Sequence, residues 1–106
     1  MVDEFLPEAA RSRIVVASWY GEDFDGKPMK NGEPFDMYAM TVAHKTLPMG
    51  TRVLVQNLCD RREVVAIVTD RGPFVRGRDF DLSKGVAQKL GVAEEGVAAV
   101  MVTVLT

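Results

Sequence analysis

Three short phrases hold the residues best suited to chemistry: Asn31-Gly32-Glu33, Ala43-His44-Lys45 and Asp70-Arg71-Gly72-Pro73. Together they supply two carboxylates and the chain's single histidine, and each phrase lies at the edge of an apolar run rather than inside one. A carboxyl group just past the end of a strand, held by a Gly-Pro turn, is where a small β scaffold presents a rigid proton donor to a cleft. Each residue also has an ordinary reading. Asp70 suits an Asx turn or a salt bridge to Arg71, Glu33 a solvated loop position, and His44 a hydrogen-bonded packing role. A metal site is not expected, because no second His or Cys stands at a matched spacing, and no cofactor motif is present.

The apolar runs around these phrases set the elements that must position them. Residues 14–20 (IVVASWY) are β-branched and aromatic and read as a buried strand closed by Gly21. Residues 22–36 hold Gly26, Pro28, Asn31, Gly32 and Pro34 with almost no apolar period, which predicts a long surface loop of the kind that carries function. Residues 40–47 read as a short helical turn stopped by Pro48 and Gly50. Residues 51–58 and 63–69 read as strands joined by a tight polar connection, the second ending at Asp70. Beyond a loop at 74–80, Leu82, Val86, Ala87 and Leu90 form a helical stripe, with Asp81 expected to cap the helix and Gly91 to end it. Residues 96–105 close the chain as a last strand. Five or six short strands with one clear helix predict a small closed or partly closed β-barrel.

At 106 residues the chain is long enough for one domain that buries roughly 60 to 70% of its unfolded surface. Residues 1–13 read as an acidic leader or tail, and residues 14–106 as the domain. A net charge of −2, from 13 basic and 15 acidic residues interspersed, gives no broad attraction to nucleic acid or anionic lipid. One cysteine, Cys59, excludes an internal disulfide. No apolar run approaches the ~20 residues needed to span a bilayer. The N-terminus lacks the basic flank and apolar stretch of an export signal, so a chain trimmed of any such signal is the expectation.

Several phrases together resemble one family. Ala17-Ser18-Trp19-Tyr20-Gly21, Asn31-Gly32-Glu33-Pro34-Phe35-Asp36, Ala43-His44-Lys45-Thr46-Leu47-Pro48-Met49-Gly50-Thr51, Asp70-Arg71-Gly72-Pro73-Phe74 and Asp81-Leu82-Ser83 are similar in order and spacing to the rare lipoprotein A family, from about Ala17 to Leu105. The resemblance implies a mainly β fold, a small six-stranded double-psi β-barrel with one or two short helices, shared with expansins, barwin-like proteins and family 45 endoglucanases. It implies a lytic transglycosylase of peptidoglycan glycan strands, a periplasmic or cell-envelope location, and divisome or cell-wall proteins as partners. It assigns the active cleft to Glu33 and Asp70 with His44 beside them and Asp36 in support, and puts Tyr20, Asn31, Arg71 and Phe74 among the substrate-binding residues. The sequence departs from the family pattern at Met29-Lys30, where a Thr-Ala pair is usual, and at Cys59-Asp60, in place of an Asn-Gly turn. The family's lipoprotein signal and sporulation-related repeat are not found in it either.

The implied reaction needs few groups. An acid protonates the glycosidic oxygen, and the same residue as base takes the proton of the C6 hydroxyl that attacks C1, so no water enters. A second carboxylate faces the oxocarbenium-like charge. Asp70 as acid/base with Glu33 as its electrostatic partner is the favoured assignment, and the residue pattern also admits the reverse. Two other classes stay open at this point: an expansin-like module that binds wall carbohydrate without cleaving it, with Tyr20, Phe35 and Phe74 along a groove, and a structural domain that docks a protein partner.

Overall fold

A computed structural model of the chain describes residues 12–20 and 24–105; the leader up to residue 11 lies outside the described residues. Six strands form a closed barrel: β1 (Ser12–Tyr20), β2 (Thr41–His44), β3 (Arg52–Asn57), β4 (Glu63–Asp70), β5 (Phe80–Ser83) and β6 (Val97–Val104), in the order β1-β5-β2-β4-β3-β6. One helix, α1 (Lys84–Leu90), follows β5, and a 3-10 turn at Ala93–Glu95 leads into β6. The pairs β1–β5 and β2–β4 are parallel and the remaining pairs antiparallel. Closure removes every sheet edge, so the backbone polar groups of these short strands are satisfied within the barrel.

The core follows from strand alternation. Val15 and Ala17 of β1, Val53 and Val55 of β3, Ala66 and Val68 of β4, Phe80 and Leu82 of β5, and Val100 and Val102 of β6 point inward and are buried together with Val42 of β2. Each fully buried valine or leucine contributes roughly 1.5–3 kcal/mol over an exposed one. Helix α1 adds Val86, Ala87 and Leu90 to the same cluster. Trp19 packs against it, and its indole N–H donates to the Ala93 carbonyl at 2.7 Å.

Two expectations are corrected. Residues 41–44 form strand β2, not a helical turn. Four residues are too few to show a period, and β2 lies between two strands distant in sequence, pairing Val42 with both Val68 and Leu82, so tertiary pairing decides its conformation. Asp81 does not cap the helix, because residues 80–83 form β5. The cap is Ser83, whose Oγ accepts from Val86 N at 3.1 Å. The end is as expected: Gly91 takes the left-handed conformation at φ 77° and returns its N–H to the last turn. Strand β1 opens at Ser12, two residues inside the segment read as leader.

Helix α1 also fixes the entrance to β2. Gly85 N donates to Met37 O at 2.8 Å, and a Cβ at Gly85 would stand 2.3 Å from Tyr38 O. The helix and the 37–40 segment therefore approach as closely as bare backbones permit.

Candidate active site

The candidate site is built at the C-terminal end of β4. Between β2 and β4 the register shifts: Val42 faces Val68, but Ala43 faces Asp70. This bulge lets Asp70, rather than Thr69, stand opposite Ala43 on the outer side of the barrel wall, the usual effect of an extra residue in a strand. Asp70 is half-buried. Its Oδ1 accepts from Arg71 N at 2.9 Å and from Lys30 N at 3.0 Å.

The second of these contacts brings the loop to the strand. Asn31 N donates to Thr69 O at 3.3 Å, and the Thr69 hydroxyl reaches Met29 Sδ at 3.3 Å, so residues 29–31 lie against the end of β4. The loop itself is a tight hairpin: Pro28 bridges Pro34, Met29 N donates to Glu33 O at 2.8 Å, and Gly32 N donates to Met29 O at 2.9 Å. Gly32 has φ 91°, a conformation that favours glycine at this turn. Asn31 closes it from the side. Its Oδ1 accepts from Glu33 N at 2.9 Å, and its Nδ2 donates to Glu33 Oε1 at 3.1 Å, so the carboxylate of Glu33 is oriented by its neighbour but exposed. Phe35 anchors the hairpin. It is 3% exposed, which corrects its reading as a surface aromatic along a groove.

His44 ends β2 and reaches the site through Arg71. The Arg71 guanidinium does not pair with Asp70; Nη1 donates to His44 O at 3.2 Å and to Leu47 O at 2.6 Å, tying the loop after β2 to the turn after β4. The imidazole packs on Phe80 with ring centroids 4.6 Å apart. His44 Nδ1 accepts from Thr46 N at 3.1 Å and Leu47 N at 2.9 Å. A ring nitrogen that accepts carries no proton, so the neutral ring holds its proton on Nε2 and offers a donor there. Burial lowers the His44 pKa, and the charges of Arg71 and Lys45 lower it further, against a raising effect from Asp79. No hydrogen bond or ion pair joins the imidazole directly to Glu33 or Asp70 among the described residues. Arg71 and the Ala43–Asp70 pairing connect them.

The other expected residues divide. Asp36 Oδ1 accepts from Tyr38 N at 2.9 Å and so holds the turn that leads to β2. Phe74 is 81% exposed on the loop after the Gly72-Pro73 peptide, which is cis. The Tyr20 side chain lies outside the described residues. Asp81, read from the sequence as a helix cap, stands on β5 opposite Ala43, which is itself opposite Asp70. The period-two reading needed to place it there was masked by the stronger helical stripe that follows.

Comparison with known proteins places the chain in a family. The family model described as "Lytic transglycolase" matches residues 12–102. The chain belongs to this family. It is 48% identical over 106 residues to a probable endolytic peptidoglycan transglycosylase RlpA of Synechocystis, covering 98% of this chain and 33% of that protein. To the endolytic peptidoglycan transglycosylase RlpA of Pseudomonas aeruginosa (strain UCBPP-PA14) it is 52% identical over 98 residues, covering 92% of this chain and 29% of that protein. The chain thus spans about a third of the length of these curated relatives. Among solved structures, the Streptomyces papain inhibitor superimposes with a TM-score of 0.70 at 21% identity over 90% of this chain and 94% of that one, which bears on the fold alone. The family's double-psi barrel is the fold expected from the sequence.

Proposed function

We propose that this domain is the catalytic part of a lytic transglycosylase that cleaves the bond between N-acetylmuramic acid and N-acetylglucosamine in peptidoglycan glycan strands, preferring strands without stem peptides, in the cell envelope. The observation that carries the reading is the pinning of the Asn31-Gly32-Glu33 hairpin to the end of β4 by Lys30 N on Asp70 Oδ1 and Asn31 N on Thr69 O. It brings together the segments that carry Glu33 and Asp70, 37 positions apart in sequence, at the end of β4. Relatives at about half identity carry the same activity in their names.

In this reading Asp70 Oδ1 is engaged by two N–H groups and Oδ2 carries the proton. Oδ2 delivers it to the glycosidic oxygen as the C1–O bond breaks, and the exposed carboxylate of Glu33 faces the positive charge that develops at C1. The C6 hydroxyl of the same sugar then attacks C1 and returns a proton to Asp70, closing the 1,6-anhydro ring and restoring the acid. The nucleophile is already part of the substrate, so its attack has the advantage of an intramolecular reaction. His44, neutral with its proton on Nε2, supplies a hydrogen bond to a sugar oxygen and not a base.

Digestion of peptide-free glycan strands, followed by mass spectrometry of the products, tests the proposal. Products 18 mass units lighter than hydrolytic ones mark anhydro ends, roughly the mass of the one water that hydrolysis would add. Strands bound and released unchanged would instead favour a non-lytic, expansin-like carbohydrate-binding module.

A further inference from the structure

We propose that Arg71 is a positioning residue for His44: its guanidinium closes the loop that holds the imidazole and so fixes Nε2–H as the ring's donor, rather than binding the glycan strand itself. The use made of that donor rests on the lytic reading above. Arg71 Nη1 donates to two carbonyls, Leu47 O at 2.6 Å and His44 O at 3.2 Å. These carbonyls belong to the last and first residues of one short segment, 44–47. Inside the same segment the N–H groups of Thr46 and Leu47 turn back onto His44 Nδ1, at 3.1 and 2.9 Å. One guanidinium nitrogen therefore ties off both ends of the segment whose backbone holds a single ring nitrogen. Leu47 takes part twice, with its N–H on the ring and its carbonyl on Arg71, so displacing the guanidinium loosens the shorter of the two ring contacts.

The same residue reaches the proposed acid through its backbone. Arg71 N donates to Asp70 Oδ1 at 2.9 Å, while the half-buried side chain crosses to the loop after β2. Bonds from a charged donor are among the stronger hydrogen bonds, and both of these go to main chain. They favour a main-chain role over the substrate-binding one that the family resemblance implies. The charged groups that act on the ring are Arg71 and Lys45, which disfavour its protonation, and Asp79, which favours it; burial disfavours it most. Phe80, packed 4.6 Å from the ring, offers no ionisable group. The charge of Arg71 and its bonds act in one direction, since both keep the proton off Nδ1. A proton there would meet two N–H donors, and the ring would have to leave its place on Phe80. With Nδ1 excluded, the neutral ring carries its proton on Nε2.

His44 is the single histidine, so its ring nitrogens can be followed by nitrogen NMR across pH in the whole chain. Arg71→Met removes the charge and the donors with little loss of length. The His44 pKa should then rise toward the ordinary 6.5, and the neutral ring should show a mixture of tautomers in place of an unprotonated Nδ1. Arg71→Lys keeps the charge without the planar fork, so it should recover only part of the change. A His44 titration and tautomer equal to wild type in Arg71→Lys would mean that charge alone acts, and overturns the clamp; this arm decides by itself should melting show that Arg71→Met does not fold. On peptide-free strands Arg71→Met should lower kcat/KM about tenfold in wild type but less than about twofold in a His44→Gln background, because the loss acts through the ring. An equal loss in both backgrounds, or a raised KM with wild-type ring signals, marks Arg71 as a strand-binding residue and overturns the positioning role. The NMR arm needs no turnover, so the two proposals fail separately. A wild-type chain that forms no anhydro ends, with the ring responses as expected, removes the lytic reading and keeps the clamp.

Discussion

Asp70 and Glu33 bear the same functional group and are held in opposite ways. Asp70 sits on the barrel, half-buried, with one oxygen fixed by two backbone N–H groups from different segments. Glu33 sits on a hairpin, exposed, with its carboxylate held by a single amide two residues away. The barrel end is locked by long-range pairing, whereas the hairpin is locked mainly within itself and touches the end of β4 through the Lys30 and Asn31 N–H groups and the Met29 sulfur. A residue that gives and retakes a proton at one atom needs fixed geometry, and a residue that supplies field at a developing charge tolerates more freedom. In the proposed reaction, this difference in support suits Asp70 to acid/base work and Glu33 to electrostatic work.

The strongest way to break this comparison is Asp70→Asn. The amide oxygen still accepts from Lys30 N and Arg71 N, so the fold survives, but no proton can be exchanged. Formation of anhydro ends should fall by about 10²–10⁴-fold. The melting temperature should move by less than the ~4–8 °C that 1 kcal/mol represents in a domain of this size. Full activity on verified peptide-free strands would remove Asp70 from the reaction.

Glu33→Gln should come next, with turnover reduced about 10- to 100-fold, equivalent to roughly 1.4–2.7 kcal/mol of lost transition-state stabilisation. Asn31→Ala, which leaves the charge and removes only its support, should reduce turnover less. If Asn31→Ala matched Asp70→Asn in severity, the hairpin would be as exacting as the barrel, and the division of labour would be wrong.

These contrasts also explain what the sequence could tell. The strands rich in valine at 14–20, 63–69 and 96–105 announced themselves because one face or both are buried and β-branched residues fill them. Strand β2 did not, because its four residues are defined by partners in β4 and β5 rather than by their own pattern. Phe80–Ser83 was hidden for a related reason: Leu82 continues the apolar spacing of the helix, and only the pairing with β1 and β2 shows that it belongs to the sheet. The phrases bearing Glu33, His44 and Asp70 were legible from their residue types and the family resemblance. The hydrogen bonds from Lys30 N and Asn31 N were not, since backbone donors leave no mark in a sequence.

His44 sharpens the comparison through pH. Its folded pKa is lowered below the ordinary 6.5, first by burial and then by Arg71 and Lys45, with Asp79 opposing. Protonation at Nδ1 would also break the bonds from Thr46 N and Leu47 N. For a group depressed on folding, the unfolded chain takes up the proton first, so stability rises with pH across the interval between the two pKa values. The contribution of His44 is therefore present above about pH 6.5 and is lost as the pH falls through its lower folded value. Melting of wild type and His44→Gln from pH 5 to 8 should show the wild-type advantage narrowing at the acid end. A wild-type advantage that widened on acidification would mean that the ring is protonated in the folded state and is not the neutral donor described.

The smallest effect should come from Lys30, and it isolates what the hairpin contributes. Lys30 meets Asp70 through its backbone N–H, so Lys30→Ala removes the charge and keeps the 3.0 Å contact. Turnover should stay within about twofold of wild type, with any change confined to KM as a lost interaction with the strand. Lys30→Pro is the counterpart: it deletes the donor, and the unmade bond to a half-buried carboxylate costs about 1–3 kcal/mol. If the backbone bond is what fixes Asp70, Lys30→Pro should lower kcat by at least tenfold while Lys30→Ala does not. Equal, small effects would mean that Arg71 N alone holds Asp70 and that the hairpin approaches the barrel without steadying its acid.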